Sequence, residues 1–167
     1  TQLVSSFSPK DGKADKLIDV QRITIEKYYY GGDKHGKAET QLVTTFDPLD
    51  ATLKTVVDIQ RITIEEYYFG GKEHGRAKTQ LVTTYDPLNT ETVLDIQRIT
   101  IESYYYGGTK HGKAETQLVS SFSPKDGKID KLIDVQRIKI ESYYFGGEKH
   151  GKAKSQTVTS FAPDTNE

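Results

Sequence analysis

The chain has no cysteine, so neither a disulfide frame nor a thiolate metal site is available to it. Methionine and tryptophan are also absent. Hydrophobic residues reach only 34% of the 167 positions. Counting glycine in and tyrosine out gives about 36%, below the 45–50% usual for a globular domain. A thick core is therefore not expected, and a sheet with partly wet faces is. The charge has no dominant sign: 23 Lys and Arg stand against 24 Asp and Glu, net −1. The basic residues are evenly spread, which argues against a nucleic-acid or anionic-membrane footprint. No 18-residue apolar run occurs, so no membrane insertion is expected. The chain opens at Thr1 with no visible signal peptide, which fits a processed chain.

What the sequence does have is repetition. Four histidines, His35, His74, His111 and His150, are spaced 39, 37 and 39 residues apart. They divide the chain into units 1–39, 40–78, 79–115 and 116–154, with a partial fifth copy at 155–163. The whole, 1–167, reads as one all-β repeat domain. Each unit opens with a segment such as Thr40-Gln-Leu-Val-Thr-Thr-Phe46, where Leu42 and Phe46 share one face while Gln41, Val43 and Thr45 share the other. Prolines 9, 48, 87, 124 and 163 are expected to end this opening strand, because proline brings no N–H to a ladder. The two-residue deletion between Tyr85 and Asp95 marks the next segment as a loop.

A second strand follows, Leu17 to Glu26 in unit one. Ile18 and Val20 lie in one phase and Ile23 and Ile25 in the other, so a β-bulge at Gln21-Arg22 is expected to bring both pairs to one face. A strand buried on both sides is the alternative. Tyr28 to Tyr30 continue the strand, and Gly31-Gly32 breaks it. No stretch has a 3.6-residue apolar period. The expected fold is all-β: an antiparallel meander-like sheet or barrel, with a small β-propeller-like ring as the alternative. Units one and three end in Glu39 and Glu115, units two and four in Lys78 and Lys154, a pattern that suggests duplication of a pair of units.

The candidate site is the tyrosine cluster with its Gly-Gly-x-x-His-Gly turn. In unit one it comprises Tyr28, Tyr30, Gly31, Gly32, His35 and Gly36. Its counterparts are Tyr67, Gly70, Gly71, His74 and Gly75; Tyr104, Tyr106, Gly107, Gly108, His111 and Gly112; and Tyr143, Gly146, Gly147, His150 and Gly151. Glycines bring backbone N–H groups close to anything that docks. Histidine adds a donor and an acceptor beside an aromatic ring. Sugars require that pairing of a flat apolar floor with short-range hydrogen bonds. For a single copy the simpler account is a hairpin whose histidine caps the turn. Four copies favour display for repeated binding. In each cluster at least one tyrosine face is expected to be structural. Asp19, Arg22 and Glu26, which recur in every unit, are expected to form a surface ion-pair ladder. Positions Lys27/Glu66/Ser103/Ser142 and Asp33/Lys72/Thr109/Glu148 vary as freely exposed positions would.

Other chemistries lack residues. No cofactor is expected, and no metal site: each unit holds one histidine, and the nearby Glu39 becomes Lys78 in the next copy. Asp11 and Asp15 could suggest calcium, but units two and three lack that loop. The glycine turn has neither the helix nor the lysine spacing of a nucleotide loop. No unique nucleophile stands out, so the chain is read as no enzyme. The segment from Ile18 to Gly36, with Ile-x-Ile leading into Tyr-Tyr-Gly-Gly and His-Gly, resembles one strand–turn segment of jacalin-related lectins. The likeness covers about half of each unit. The repeat length, and the lack of a Gly-Gly-rich N-terminal segment, depart from that family. The expectation is a multivalent lectin-type agglutinin in an extracellular setting, one sugar site per repeat, partnered by glycans or glycoproteins on cell surfaces. The alternative is a self-assembling adhesive β scaffold, for which a homo-oligomer would be the natural state.

Overall fold

The computed structural model of the chain describes residues 1–10, 13–50, 52–144 and 152–162. Among the described residues, nine antiparallel strands follow one another in a single sheet, each beside its neighbours in sequence. They are β1 (Gln2–Lys10), β2 (Lys13–Tyr28), β3 (Ala38–Phe46), β4 (Val56–Tyr67), β5 (Ala77–Asp86), β6 (Asn89–Tyr104), β7 (Ala114–Lys125), β8 (Lys128–Tyr143) and β9 (Ala153–Phe161). Odd-numbered strands are the opening strands of the sequence units; even-numbered strands are the second strands. The sheet is an open meander with β1 and β9 at its two edges, so it is neither the barrel nor the propeller-like ring considered from the sequence. Among the described residues no helix is long and apolar enough to cross a membrane.

Strand pairing shows how the sequence uses both faces. Val20 faces Phe46, Gln21 faces Thr45, Arg22 faces Thr44 and Ile23 faces Val43, without interruption. No bulge therefore falls at Gln21-Arg22, which corrects that expectation. Val20 and Arg22 lie on one face, Ile23 and Ile25 on the other; Val20 is buried, and Ile23 and Ile25 are half-buried. The bulge comes later. Register moves from Ile25↔Gln41 to Lys27↔Thr40, leaving Glu26 as the extra residue. It recurs at Glu65, Glu102 and Glu141.

The core is correspondingly thin. Among the described residues the buried apolar side chains are Val20, Phe46, Ile64, Ile96, Ile101 and Ile140, all within the sheet. The main contacts between elements join sheet neighbours only. Cross-strand packing, rather than a second layer, is what removes these side chains from water. One face carries a ladder in which Arg22, Arg61, Arg98 and Arg137 lie over Phe46, Tyr85, Phe122 and Phe161, at 4.9–5.7 Å from the ring centres. Arg61, Arg98 and Arg137 also pair with Glu26, Glu65 and Glu102 of the preceding second strand. The ladder expected from sequence thus exists between units, through the bulge glutamates. Asp58 lies on the other face, opposite Thr45, where burial raises its carboxyl above the usual range.

The ends of the opening strands also depart from expectation. Pro9 and Pro124 lie inside β1 and β7, each beside a register irregularity, and the strands run on past them. β3 does stop at Phe46, ahead of Pro48. In unit three the deleted segment is itself a hairpin, with Asp86 opposite Asn89, while in unit two the same region is a loop organised by Asp50. Asp126 and Gly127, with φ of 51° and 73°, make the two-residue turn from β7 to β8.

Candidate functional site

Three glycine turns are described, and they line one end of the strands, on every second strand connection. Strands lie about 4.8 Å apart, so neighbouring turns are about 10 Å apart. In the first, Tyr29 N–H donates to Lys37 O and Gly36 N–H donates back to Tyr29 O. Gly31 and Gly36 have φ of 83° and 77°, the left-handed region that a side chain would strain. A single 3₁₀ turn, Gly32–Lys34, connects them. Gly107–Gly112 repeats this geometry within a few degrees. His150, Gly146, Gly147 and Gly151 lie outside the described residues.

The histidine holds the turn. Gly31 N–H donates to His35 Nδ1 at 3.0 Å, Gly70 to His74 at 2.9 Å and Gly107 to His111 at 3.1 Å. A neutral imidazole has one bare nitrogen, so Nδ1 accepts and Nε2 carries the hydrogen. Arg76 Nη2 lies 3.4 Å from His111 Nε2. Guanidinium only donates, so this contact competes with the shorter Gly107 bond, and the backbone bond fixes the tautomer. The histidines are exposed in all three turns. In each, Nδ1 serves the backbone and Nε2 is the ring nitrogen left over, which in His111 faces Arg76.

The three aromatic positions of each cluster have three different jobs. The first reaches backward: Tyr67, Tyr104 and Tyr143 donate their hydroxyls to Ala38 O, Ala77 O and Ala114 O, at 2.5–2.6 Å. Burial pushes all three phenols up in pKa. Tyr28, the first-position ring of unit one, is 55% exposed. The second reaches forward: Tyr29, Tyr68 and Tyr105 donate to Ile64 O, Ile101 O and Ile140 O, each at 2.6 Å. These carbonyls adjoin the next unit's bulge. Lys34 and Lys110 add an ammonium to Glu65 O and Glu141 O, also at 2.6 Å. First- and second-position rings meet edge to face, as in Tyr29–Tyr67 at 6.4 Å. The third position stays outside. Tyr30, Phe69 and Tyr106 are 97%, 68% and 64% exposed. Each stands edge to face with its own histidine, at 5.4–5.5 Å.

Of the residues proposed from sequence, the structure therefore brings Tyr30 with His35, and Tyr106 with His111, to one exposed end of the strands together with their glycines. Tyr67, Tyr104 and Tyr143 are set back, their hydroxyls engaged. Phe69 takes the same place beside His74 and was not among the residues proposed; its third position in the Tyr-Tyr-x triplet was the available signal. The middle tyrosines were also missed, and their partners lie about 35 residues away.

Lys27, Asp33, Glu66 and Lys72 are exposed as expected, yet several of the variable positions have partners. Lys27 pairs with Glu39 at 2.6 Å and Glu66 with Lys78 at 2.8 Å, the same bridge with its charges exchanged. Ser103 Oγ donates to Glu115 at 3.4 Å in unit three. Lys72 extends over the Tyr106 ring of the next turn, 4.4 Å from its centre. Two concavities lie on the arginine face, one of about 290 Å³ lined by Leu42, Ile59, Arg61 and Tyr85, one of about 350 Å³ lined by Leu118, Val135, Arg137 and Phe161. These four lining residues of each correspond at a spacing of 76 positions, in keeping with duplication of a pair of units. Among the described residues no three His, Asp or Glu side chains gather as a metal site would need.

A scan against protein-family models, a search of curated proteins and a search of solved structures each returned no match to this chain.

Proposed function

We propose that the protein is a non-catalytic carbohydrate-binding protein, which grips an extended glycan along the row of glycine turns. The observation that carries this reading is the repeated exposed pair of ring and histidine: Tyr30 with His35, Phe69 with His74, Tyr106 with His111. Tyr30 and Phe69 offer an apolar face for a sugar, and the Nε2–H of His35 and His74 a donor to a hydroxyl; at the third turn Lys72 lies over the Tyr106 ring and Arg76 stands beside His111 Nε2. A spacing of about 10 Å is close to the length of two sugar residues in an extended chain. One polymer could then touch several turns in succession, rather than one monosaccharide filling one closed pocket.

Each contact would be weak alone. Linked sites on one stiff sheet raise the overall grip by about 10²–10⁴ over a single site. The test is a glycan array followed by calorimetry with oligosaccharides of increasing length. Affinity is expected to climb with length until the row is spanned. Substituting all four histidines by alanine should abolish most of it. Equal affinity for a monosaccharide and its polymer, or full binding by the four-histidine variant, would overturn the reading.

A further inference from the structure

β3, β5 and β7 each lie between two second strands, whereas β9, the same kind of strand, has one on a single side among the described residues. The interior copies show what the other side takes. β3 receives β4 with Leu42 opposite Arg61, Val43 opposite Gln60 and Phe46 opposite Val56. Two side chains register the difference at β9. Phe46 is 2% exposed, and its counterpart Phe161 is 41% exposed. Glu26, Glu65 and Glu102 each reach across an opening strand to the arginine of the next second strand, at 2.8–2.9 Å. Glu141, the fourth of the series, instead accepts from Ser155 Oγ at 3.3 Å and Thr157 Oγ1 at 3.0 Å. Its partners are hydroxyls of β9 itself, whereas the other three glutamates meet a guanidinium from the strand beyond.

We propose that the outer edge of β9 is an acceptor site for one further strand of the second-strand chemistry. That strand is extended and antiparallel to β9, and carries the order Ile-Gln-Arg-Ile-x-Ile-Glu. Main-chain bonds to β9 supply affinity, and its arginine pairs with Glu141. An apolar residue five positions before the arginine covers Phe161, as Val56 covers Phe46. Thr157 occupies the place of Leu42, Leu81 and Leu118. This exchange blunts the bare edge against indiscriminate pairing. It leaves Glu141 in position, so selection falls on the arginine. A second copy's edge is the wrong occupant: both edges are opening strands, and two opening strands are nowhere neighbours in this sheet. The segment comes from outside these 167 residues. The proposal gives the scaffold alternative a specific form and does not depend on glycan binding.

The test is fluorescence anisotropy with a labelled synthetic peptide of the sequence Val56 to Tyr67, titrated into the full chain. Saturable binding at a single site is expected. Arg61→Ala in the peptide and Glu141→Gln in the chain should each weaken it about fivefold, the coupling of a partly exposed charge pair, and the two together should lose no more than either alone. Circular dichroism checks that the Glu141→Gln chain stays folded. On β1 the same peptide would instead offer its glutamate to Arg22, so Glu65→Gln in the peptide separates the edges. Absence of binding, equal binding by a scrambled peptide, or loss with Glu65→Gln and none with Arg61→Ala would overturn the proposal. So would concentration-dependent dimerisation of the chain alone that Glu141→Gln abolishes.

Discussion

The two ends of the strands are built on opposite principles. At the glycine end, every described turn has the same hairpin bonds, the same histidine cap and the same tyrosine reach into the next unit. At the other end, the connections differ in every described case: a left-handed two-residue turn at Asp126-Gly127, a short turn at Pro87-Leu88, and a loop gathered around Asp50. The difference teaches what repetition is for in a single-layer sheet. A connection that bonds only within itself can change freely. A turn that donates to the unit ahead and receives from the unit behind cannot change alone. Its sameness is required by the framework before any ligand is considered.

This contrast can be broken by substitution, and the largest effect belongs to the forward-reaching tyrosines. Tyr68→Ala removes a ring from a thin core and strands the carbonyl of Ile101, and should cost about 2–4 kcal/mol in urea denaturation. Tyr68→Phe keeps the ring and should cost about 1–2 kcal/mol. His74→Ala, which leaves Gly70 N–H to water, should cost about 1 kcal/mol or less. If these changes were as mild as changes in the opposite loops, the lock would not be what holds the glycine end.

Two aspartates near the variable end sharpen the comparison through pH, with opposite signs. The Thr52 hydroxyl, with the N–H groups of Thr55 and Thr52, holds the Asp50 carboxyl well below the usual range. A depressed folded pKa gives stability that is present above the unfolded value and lost as pH falls through the folded one. Asp50→Asn should therefore flatten the acid limb of the stability profile. Asp58 is raised by burial, so its ionised form opposes folding at neutral pH and the penalty vanishes in acid. Asp58→Asn should raise the urea midpoint at pH 7 and leave it unchanged at pH 3. The smallest effect on stability is expected at Tyr30. Its ring is 97% exposed, so Tyr30→Ala should shift stability by less than about 0.5 kcal/mol.

The sequence made the β class, the repeat and the glycine turns legible, because alternation, spacing and Gly-Gly are local signals. It did not place the bulge. Two apolar phases in Leu17 to Glu26 suggested a slip at Gln21-Arg22, yet an unlayered sheet has two half-buried faces and accepts both phases. Nor did it separate the three aromatic jobs. Whether a tyrosine points forward, backward or out is decided by a carbonyl in another unit. The exchange of Lys27–Glu39 for Glu66–Lys78 is a compensated pair whose signal in the sequence is a charge reversal at both positions.

The proposed function rests on surfaces the framework does not use, and the exposed rings isolate them better than the histidines do. The deciding measurement is calorimetry of the longest bound oligosaccharide with the Tyr30→Ala, Phe69→Ala, Tyr106→Ala triple variant, beside its urea midpoint. The account predicts an unchanged midpoint and an affinity lower by at least about tenfold, the loss of roughly 1.4 kcal/mol of stacking. An unchanged midpoint with undiminished affinity would contradict it.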